Sequence, residues 1–310
     1  MRVVNDKNES SSRPQPLNLL ALPLYALLCA IGFSSVFMSP LAVILTHRRL
    51  PEFWPKVVSI TGAVVALLVL EVPLPVVLIS FVFGVFVADS VQREVPFWLL
   101  AIRSVALSAV LGGLGLAFVS QLHSQSNLLE GWRNLVGLAV TQAQQGGFFG
   151  PELDWEMMRK SLFYEGPFFY LAASLLSLWL SVGLSAHLGW QAEETVYGAK
   201  KLRALRLPAW LSVATVVLWV LDLVLANQAA YVIAGFLDLL VAVFFIQGCV
   251  TLSVFLNQKR FARGTRAVIY SLFIVFGFYA LVGLGLMSPL IFLKKRRTAN
   301  LQNRPIEEAV

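Results

Sequence analysis

Four charged residues stand inside or beside long apolar runs of this chain: Arg103, Asp222, Asp238 and Glu71. An ionised side chain within a bilayer costs ~2.5 to 3.5 kcal/mol on insertion scales, so each such position invites a functional explanation. Asp222 and Asp238 flank the short connection at residues 227–230 by similar distances. At a rise of ~1.5 Å per residue both would lie about 10 Å from that turn, at matching depth on adjacent antiparallel helices. Two carboxylates so placed repel, and one of them would hold a proton or share a cation. Arg103 would neutralise one acid if its own helix packed beside theirs. Gln247, followed by Gly248, interrupts a further apolar stretch and would hydrogen-bond a neighbouring helix. Asp222, Asp238, Arg103 and Gln247 are thus the candidate substrate-binding residues, for a polar solute or an ion. A buried structural network is the competing reading.

Nothing in the chain specifies catalysis. It holds no GxSxG, Walker A, HExxH or dinucleotide-binding fingerprint. Cys29 and Cys249 both fall in apolar runs, which excludes a disulfide framework or a CxxC metal site. His47, His123 and His187 lie near the ends of runs and far apart in sequence, whereas zinc needs three or four converging N or S ligands. The expectation is no catalytic residue, no metal and no cofactor, and a protein that is not an enzyme.

The elements that must position the candidate residues follow from composition. Of 310 residues, 58% are apolar and 13% charged, against about 25% charged in a soluble domain. That balance excludes a secreted scaffold, a disordered chain and a nucleic-acid binder, because the net charge of +7 sits at the ends of apolar runs. The runs cover residues 17–46, 57–70, 74–88, 96–122, 168–188, 208–225, 229–255 and 267–293. Most reach the ~20 residues of a spanning helix, and the ~10-residue alternation of a membrane barrel is absent. The fold class is all-α: a polytopic transmembrane helical bundle of about eight or nine segments, some short or broken. Its expected divisions are a polar tail at 1–16, helices at 17–122, an amphipathic outer connection at 123–166, helices at 167–293 and a basic tail at 294–310. The run from Leu17 is too long for a signal-peptide core and has no A-x-A site, so it is expected to be retained.

Two regions depart from simple crossings. Residues 57–70 and 74–88, separated by Glu71, Pro73 and Pro75, predict a short helical hairpin. The first run is long for one crossing and short for two, and Ser34, Ser35, Ser39 and Pro40 at its middle predict a break. Broken helices persist in a membrane only when neighbours cover their loose backbone, which suggests a compact bundle with an interior site, or mere packing irregularity. Splitting the first run puts 15 Lys and Arg on one side with the N-terminal tail and 8 on the other. The positive-inside rule then places the tail and residues 189–207 in the cytoplasm and residues 123–166 outside, at the cost of Lys294 to Arg297 on the outer side.

In the long connection, Leu128, Trp132, Leu135 and Ala139 recur at helical spacing, with Asn127 and Glu130 at cap positions and a second helix from Pro151. Such a helix lies in the membrane interface, as a surface element or as a lid. Ser177, Ser181 and Ser185, and Gly113 with Ala117, form small-residue stripes read as packing; Ala26 and Ala30 repeat the spacing.

Four stretches carry a resemblance: MSPLAVILTHRRLP (38–51), the long connection, FFIQGCVTLSVFLNQKR (244–260) and LVGLGLMSPLIFLKKRR (281–297). Together they resemble the YybS-like bacterial membrane proteins, a domain of unknown function. Ser288 and Leu290 stand where that pattern has acidic or polar residues. The family is in turn similar to the substrate-binding S-components of energy-coupling-factor transporters. The resemblance implies a multi-pass protein of the bacterial cytoplasmic membrane that binds or transports a small-molecule ligand. It implies docking on a T-component and its ATPases through an Ala-x-x-x-Ala pair, which Ala26 and Ala30 match. The partners expected are thus the lipid bilayer, that energy-coupling module and a small solute, with no nucleic acid. A membrane scaffold or assembly protein without a ligand is the alternative.

Overall fold

The computed structural model describes residues 21–51, 53–122, 127–146, 154–187, 197, 199–225, 228–259 and 261–289, and every regular element among them is a helix. The chain divides into two compact units between Gln92 and Arg93.

In the first unit the opening apolar run breaks where its serines and proline fall. α1 (Leu22–Phe33) and α2 (Ser39–Arg49) are separated by five residues of turn. Ser34 Oγ donates to the Ile31 carbonyl at 2.6 Å and Ser39 Oγ to the Val36 carbonyl at 3.0 Å, satisfying backbone that the interrupted helix leaves open. Pro40 occupies the first turn of α2, where a missing N–H costs little. α3 (Trp54–Leu68) and α4 (Leu74–Gln92) are the expected hairpin arms, but α4 runs past residue 88 and, at 19 residues, is long enough to cross a membrane. The arms also pair elsewhere: α3 packs on α1 and α4 on α2, with little contact between α3 and α4. Glu71, exposed between them, adopts the left-handed region at φ 52°, and the Val72 N–H returns to the Ala66 carbonyl at 3.0 Å. Its charge therefore sits in an exposed connection and not in an apolar span.

The second unit holds α5 (Phe97–Leu122), α6 (Leu128–Gln145), α7 (Trp155–His187), α8 (Ala199–Leu202), α9 (Ala209–Val224), α10 (Gln228–Gln258), α11 (Arg263–Phe276) and α12 (Phe278–Pro289). α6 starts as its sequence predicts, with Asn127 Oδ1 accepting the Leu129 N–H at 3.0 Å. Its covered face is rotated from the expected one. Gly131, Val136 and Val140 are buried and Trp132 and Leu135 half-buried, whereas Leu128 and Ala139 are exposed. The cause is that α6 packs on both α5 and α7, and Trp132 Nε1 donates to the Phe163 carbonyl at 2.8 Å.

Pro151 lies outside the described residues. The helix expected from it is seen from Trp155, capped by Asp154, whose Oδ1 accepts the Glu156 and Met157 N–H groups, each at 3.0 Å. It passes Pro167 without a break and continues to His187, so the division at 166/167 falls inside one 33-residue helix. At ~1.5 Å per residue α7 is about 50 Å long, well beyond the ~30 Å of a hydrocarbon core. Its charges, Glu156, Arg159, Lys160 and Glu165, all precede Pro167.

The run at 267–293, expected as one span, is broken instead: α11 and α12 meet at Gly277 with a 100° bend. α11 closes there, with the Gly277 N–H on the Phe273 carbonyl, and α12 opens with the Leu281 N–H on the Gly277 carbonyl. Among the described residues four helices are long and apolar enough to span a bilayer, α1, α3 and α9 are shorter apolar helices, and the bent pair makes a further broken segment. Of the small-residue stripes, Ser177, Ser181 and Ser185 are buried in packing as expected. Gly113, by contrast, is exposed with no neighbour near, and the close approach falls one residue earlier, where a Cβ on Gly112 would stand 3.1 Å from the Tyr170 ring.

Candidate functional site

The candidate site grows out of the seam between α7 and α10. Tyr164 stacks on Tyr231 with ring centroids 5.5 Å apart, and one turn later Phe168 lies against Phe236 at 4.7 Å. Further along, Leu176 and Trp179 pack on the cluster containing Phe245 and Cys249. The partner numbers rise together, so the two helices run parallel. Gly235 is required at this seam, because a Cβ there would come within 2.3 Å of the Phe168 ring.

Between those aromatic pairs on α7 stands Glu165, half-buried, accepting a hydrogen bond from Ser161 Oγ at 2.6 Å. Asp238 is half-buried on α10, and Asp222 is half-buried near the end of α9, which also packs on α10. Two charges act on Asp238: that of Glu165 first, then that of Asp222. The two aspartates singled out by their equal distance from the turn are thus within electrostatic reach, joined by a third acid. None of the three makes an ion pair among the described residues.

The other two candidates lie elsewhere. Arg103 is exposed on α5, which packs on α6 and α7, and it does not join the acids. Gln247 is nine residues past Asp238, about 14 Å along the axis. It is fully buried, with Nε2 donating to the Leu205 carbonyl at 3.5 Å and Oε1 without a partner among the described residues. It belongs to the contact between α10 and the connection that leads into α9.

Glu165 escaped the sequence reading because Pro167 suggested the start of a span, leaving Glu165 in an outer loop. The spacing of Tyr164 and Phe168, continuous with the apolar run behind them, was the available clue that the helix begins earlier.

Ala26 and Ala30, matched to a partner-docking pair, are occupied within the chain. Both are buried, and a Cβ on Gly62 of α3 would lie 2.5 Å from Cys29 Cβ, 2.9 Å from the Ala26 carbonyl and 3.1 Å from the Ala30 nitrogen. The backbone at Ala26 and Ala30 thus lies against Gly62 of α3, and both side chains are covered within the first unit.

Three carboxylates without a counter-charge in a weakly solvated seam need a proton or a cation. Among the described residues no group of three or more His, Cys, Asp or Glu is arranged to hold a metal ion, so the acids are too dispersed to close around one. The aromatic rings beside them offer the electron-rich faces that organic cations favour.

Apolar helices of spanning length with short apolar helices beside them define a polytopic α-helical membrane protein. The chain belongs to DUF2232, a family described as predicted membrane protein, whose profile matches residues 18–287. Neither a curated protein nor a solved structure matches it.

Proposed function

We propose that the protein is a membrane-embedded binding component for a small organic cation, held between α7, α9 and α10. The observation that carries this reading is the trio Glu165, Asp222 and Asp238, which have no ion-pair partner among the described residues, with Glu165 and Asp238 on the two helices whose seam holds the rings of Tyr164, Tyr231, Phe168 and Phe236. A ligand of matching charge relieves the mutual repulsion of the acids, and its apolar part meets the rings. The resemblance to S-components supports a transport role, in which an energy-coupling partner would dock on a surface other than Ala26 and Ala30.

The scaffold reading draws on the close helix crossing at Gly248 and Gly285, and it assigns the acids no ligand. Thermal denaturation of the detergent-solubilised protein against a panel of primary to quaternary amines separates the two. A stabilising amine whose effect disappears in Asp238→Asn supports binding. No stabilisation by any amine, together with a loss of stability in Asp238→Asn, favours the scaffold.

A further inference from the structure

The first unit contains a groove that is independent of the acid trio. Because α3 packs on α1 and α4 on α2, the hairpin arms splay, and the space between them is floored by the end of α2. The resulting groove measures about 810 Å³, within the ~300–1,000 Å³ of small-molecule sites. Its two ends differ in chemistry. Ile60, Phe81, Val82, Val85 and Phe86 form an apolar stretch, and His47, Lys56, Asp89 and Gln92 gather where α2 ends, α3 begins and α4 ends.

The apolar stretch is open: Ile60 is 56% and Val82 40% exposed, an apolar surface that favours cover by hydrocarbon. The polar end is cationic. Lys56 is exposed, and Arg49 shares the last turn of α2 with His47, whereas Arg48 already has a partner within the chain. His47 Nδ1 donates to the Val43 carbonyl at 3.0 Å, so Nε2 of the neutral ring is an acceptor and adds no positive charge to this end. Asp89, the one acid in the lining, already has a partner within the chain. The polar end also adjoins the first turn of α3, whose N-terminus has no side-chain cap. The dipole of that helix adds to the positive potential there.

An open apolar groove ending beside Lys56 at a membrane-helix terminus matches one kind of molecule. We infer that the groove holds a single glycerophospholipid, its phosphodiester against Lys56 and one acyl chain along Ile60, Val82 and Phe86. Bulk lipid covers every membrane protein; the distinguishing property of this site is that one diacyl lipid is retained when the rest is stripped by detergent.

The test is native mass spectrometry of the full chain in a maltoside detergent. Dioleoyl-phosphatidylethanolamine, dioleoyl-phosphatidylglycerol or oleic acid is added in separate samples. Retention of one diacyl phospholipid, with either headgroup, is the expected result. Lys56→Glu, which reverses the charge facing the phosphate, and Val82→Trp, which fills the groove, should each lower retention about tenfold, the scale of one charge-assisted or well-packed contact. Arg103→Glu, an exposed cation in the other unit, should leave retention unchanged. Both groove residues are partly or fully exposed, so unaltered melting temperatures will show that the variants fold. Absence of an adduct in the unmodified protein, equal retention in both groove variants, or equal retention of oleic acid overturns the assignment. None of these outcomes bears on amine binding by the acid trio.

Discussion

The charge of Glu165 on α7 bears on Asp238 of α10, the helix that runs parallel to it, and no basic side chain pairs with either among the described residues. Like charges held this way oppose folding when nothing is bound. Neutralising one should therefore stabilise the empty protein, the opposite of the loss expected when a buried pair is broken. Asp238→Asn and Glu165→Gln are each expected to raise the melting temperature in detergent by a few degrees, equivalent to about 0.5–1 kcal/mol, at the cost of any ligand effect. The double variant should gain less than the sum, since the second change finds the repulsion already reduced. A fall of several degrees in either single variant would show that the acids belong to a structural network.

α10 and α12 cross with their backbones in contact. A Cβ on Gly248 would stand 2.0 Å from the Leu281 carbonyl oxygen, and one on Gly285 would stand 1.9 Å from the Phe244 carbonyl oxygen. No rotamer change relieves a clash with backbone, so the helices must separate. Gly248→Ala and Gly285→Ala should each cost about 3 kcal/mol or more, the upper range for overpacking. Gly283→Ala, which meets nothing within 4 Å, should be neutral or slightly stabilising. Melting curves of the three variants in one detergent decide this, and equal behaviour would refute the crossing.

The α1–α3 seam gives a parallel test of what Ala26 and Ala30 do. If they pack against Gly62 within the chain, Ala30→Leu should disrupt the first unit and reduce accumulation of the protein when it is expressed alone. Had they served a partner, the same change would leave the isolated protein folded and weaken only the complex. Fluorescence-detected gel filtration of Ala30→Leu without any partner distinguishes these outcomes.

How much was legible in the residues depended on whether the cause was local. The break between α1 and α2 was readable because Ser34, Ser35, Ser39 and Pro40 act on their own backbone. That Asp222 and Asp238 bear on each other was suggested by one short connection between their helices. Glu165 was hidden because Pro167 breaks most helices, and here it does not. The stripe at Ala26 and Ala30 announced a close approach without naming its partner, since small residues look alike whether they meet α3 or another protein. Gly248 and Gly285 are far apart in sequence, and their meeting rests on the bend at Gly277. The rotation of α6 was likewise decided by contacts with two neighbours and not by its own periodicity.

The last prediction concerns which side of the membrane the acid trio faces. The buried hydroxyl of Tyr197 donates to the Val95 carbonyl, so the start of α5 and the connection after α7 share one end of the second unit. Burial pushes the Tyr197 hydroxyl well above the usual tyrosine range, which keeps it a neutral donor. Because α10 runs parallel to α7, the end of α10 lies at that same end. It collects nine basic residues, Arg93, the four in 200–206 and the four in 259–266, against Arg133, Arg159 and Lys160 at the other. The positive-inside rule assigns the first end to the cytoplasm, which leaves α6 and the seam of Tyr164, Glu165 and Tyr231 toward the outside. Asn134→Cys and Ala204→Cys test this, since both positions are exposed and the native thiols Cys29 and Cys249 are buried. In intact cells a membrane-impermeant maleimide should label the cysteine at 134 and spare the one at 204 until the membrane is opened. The reverse pattern would turn the protein over and place the acids at the cytoplasmic face.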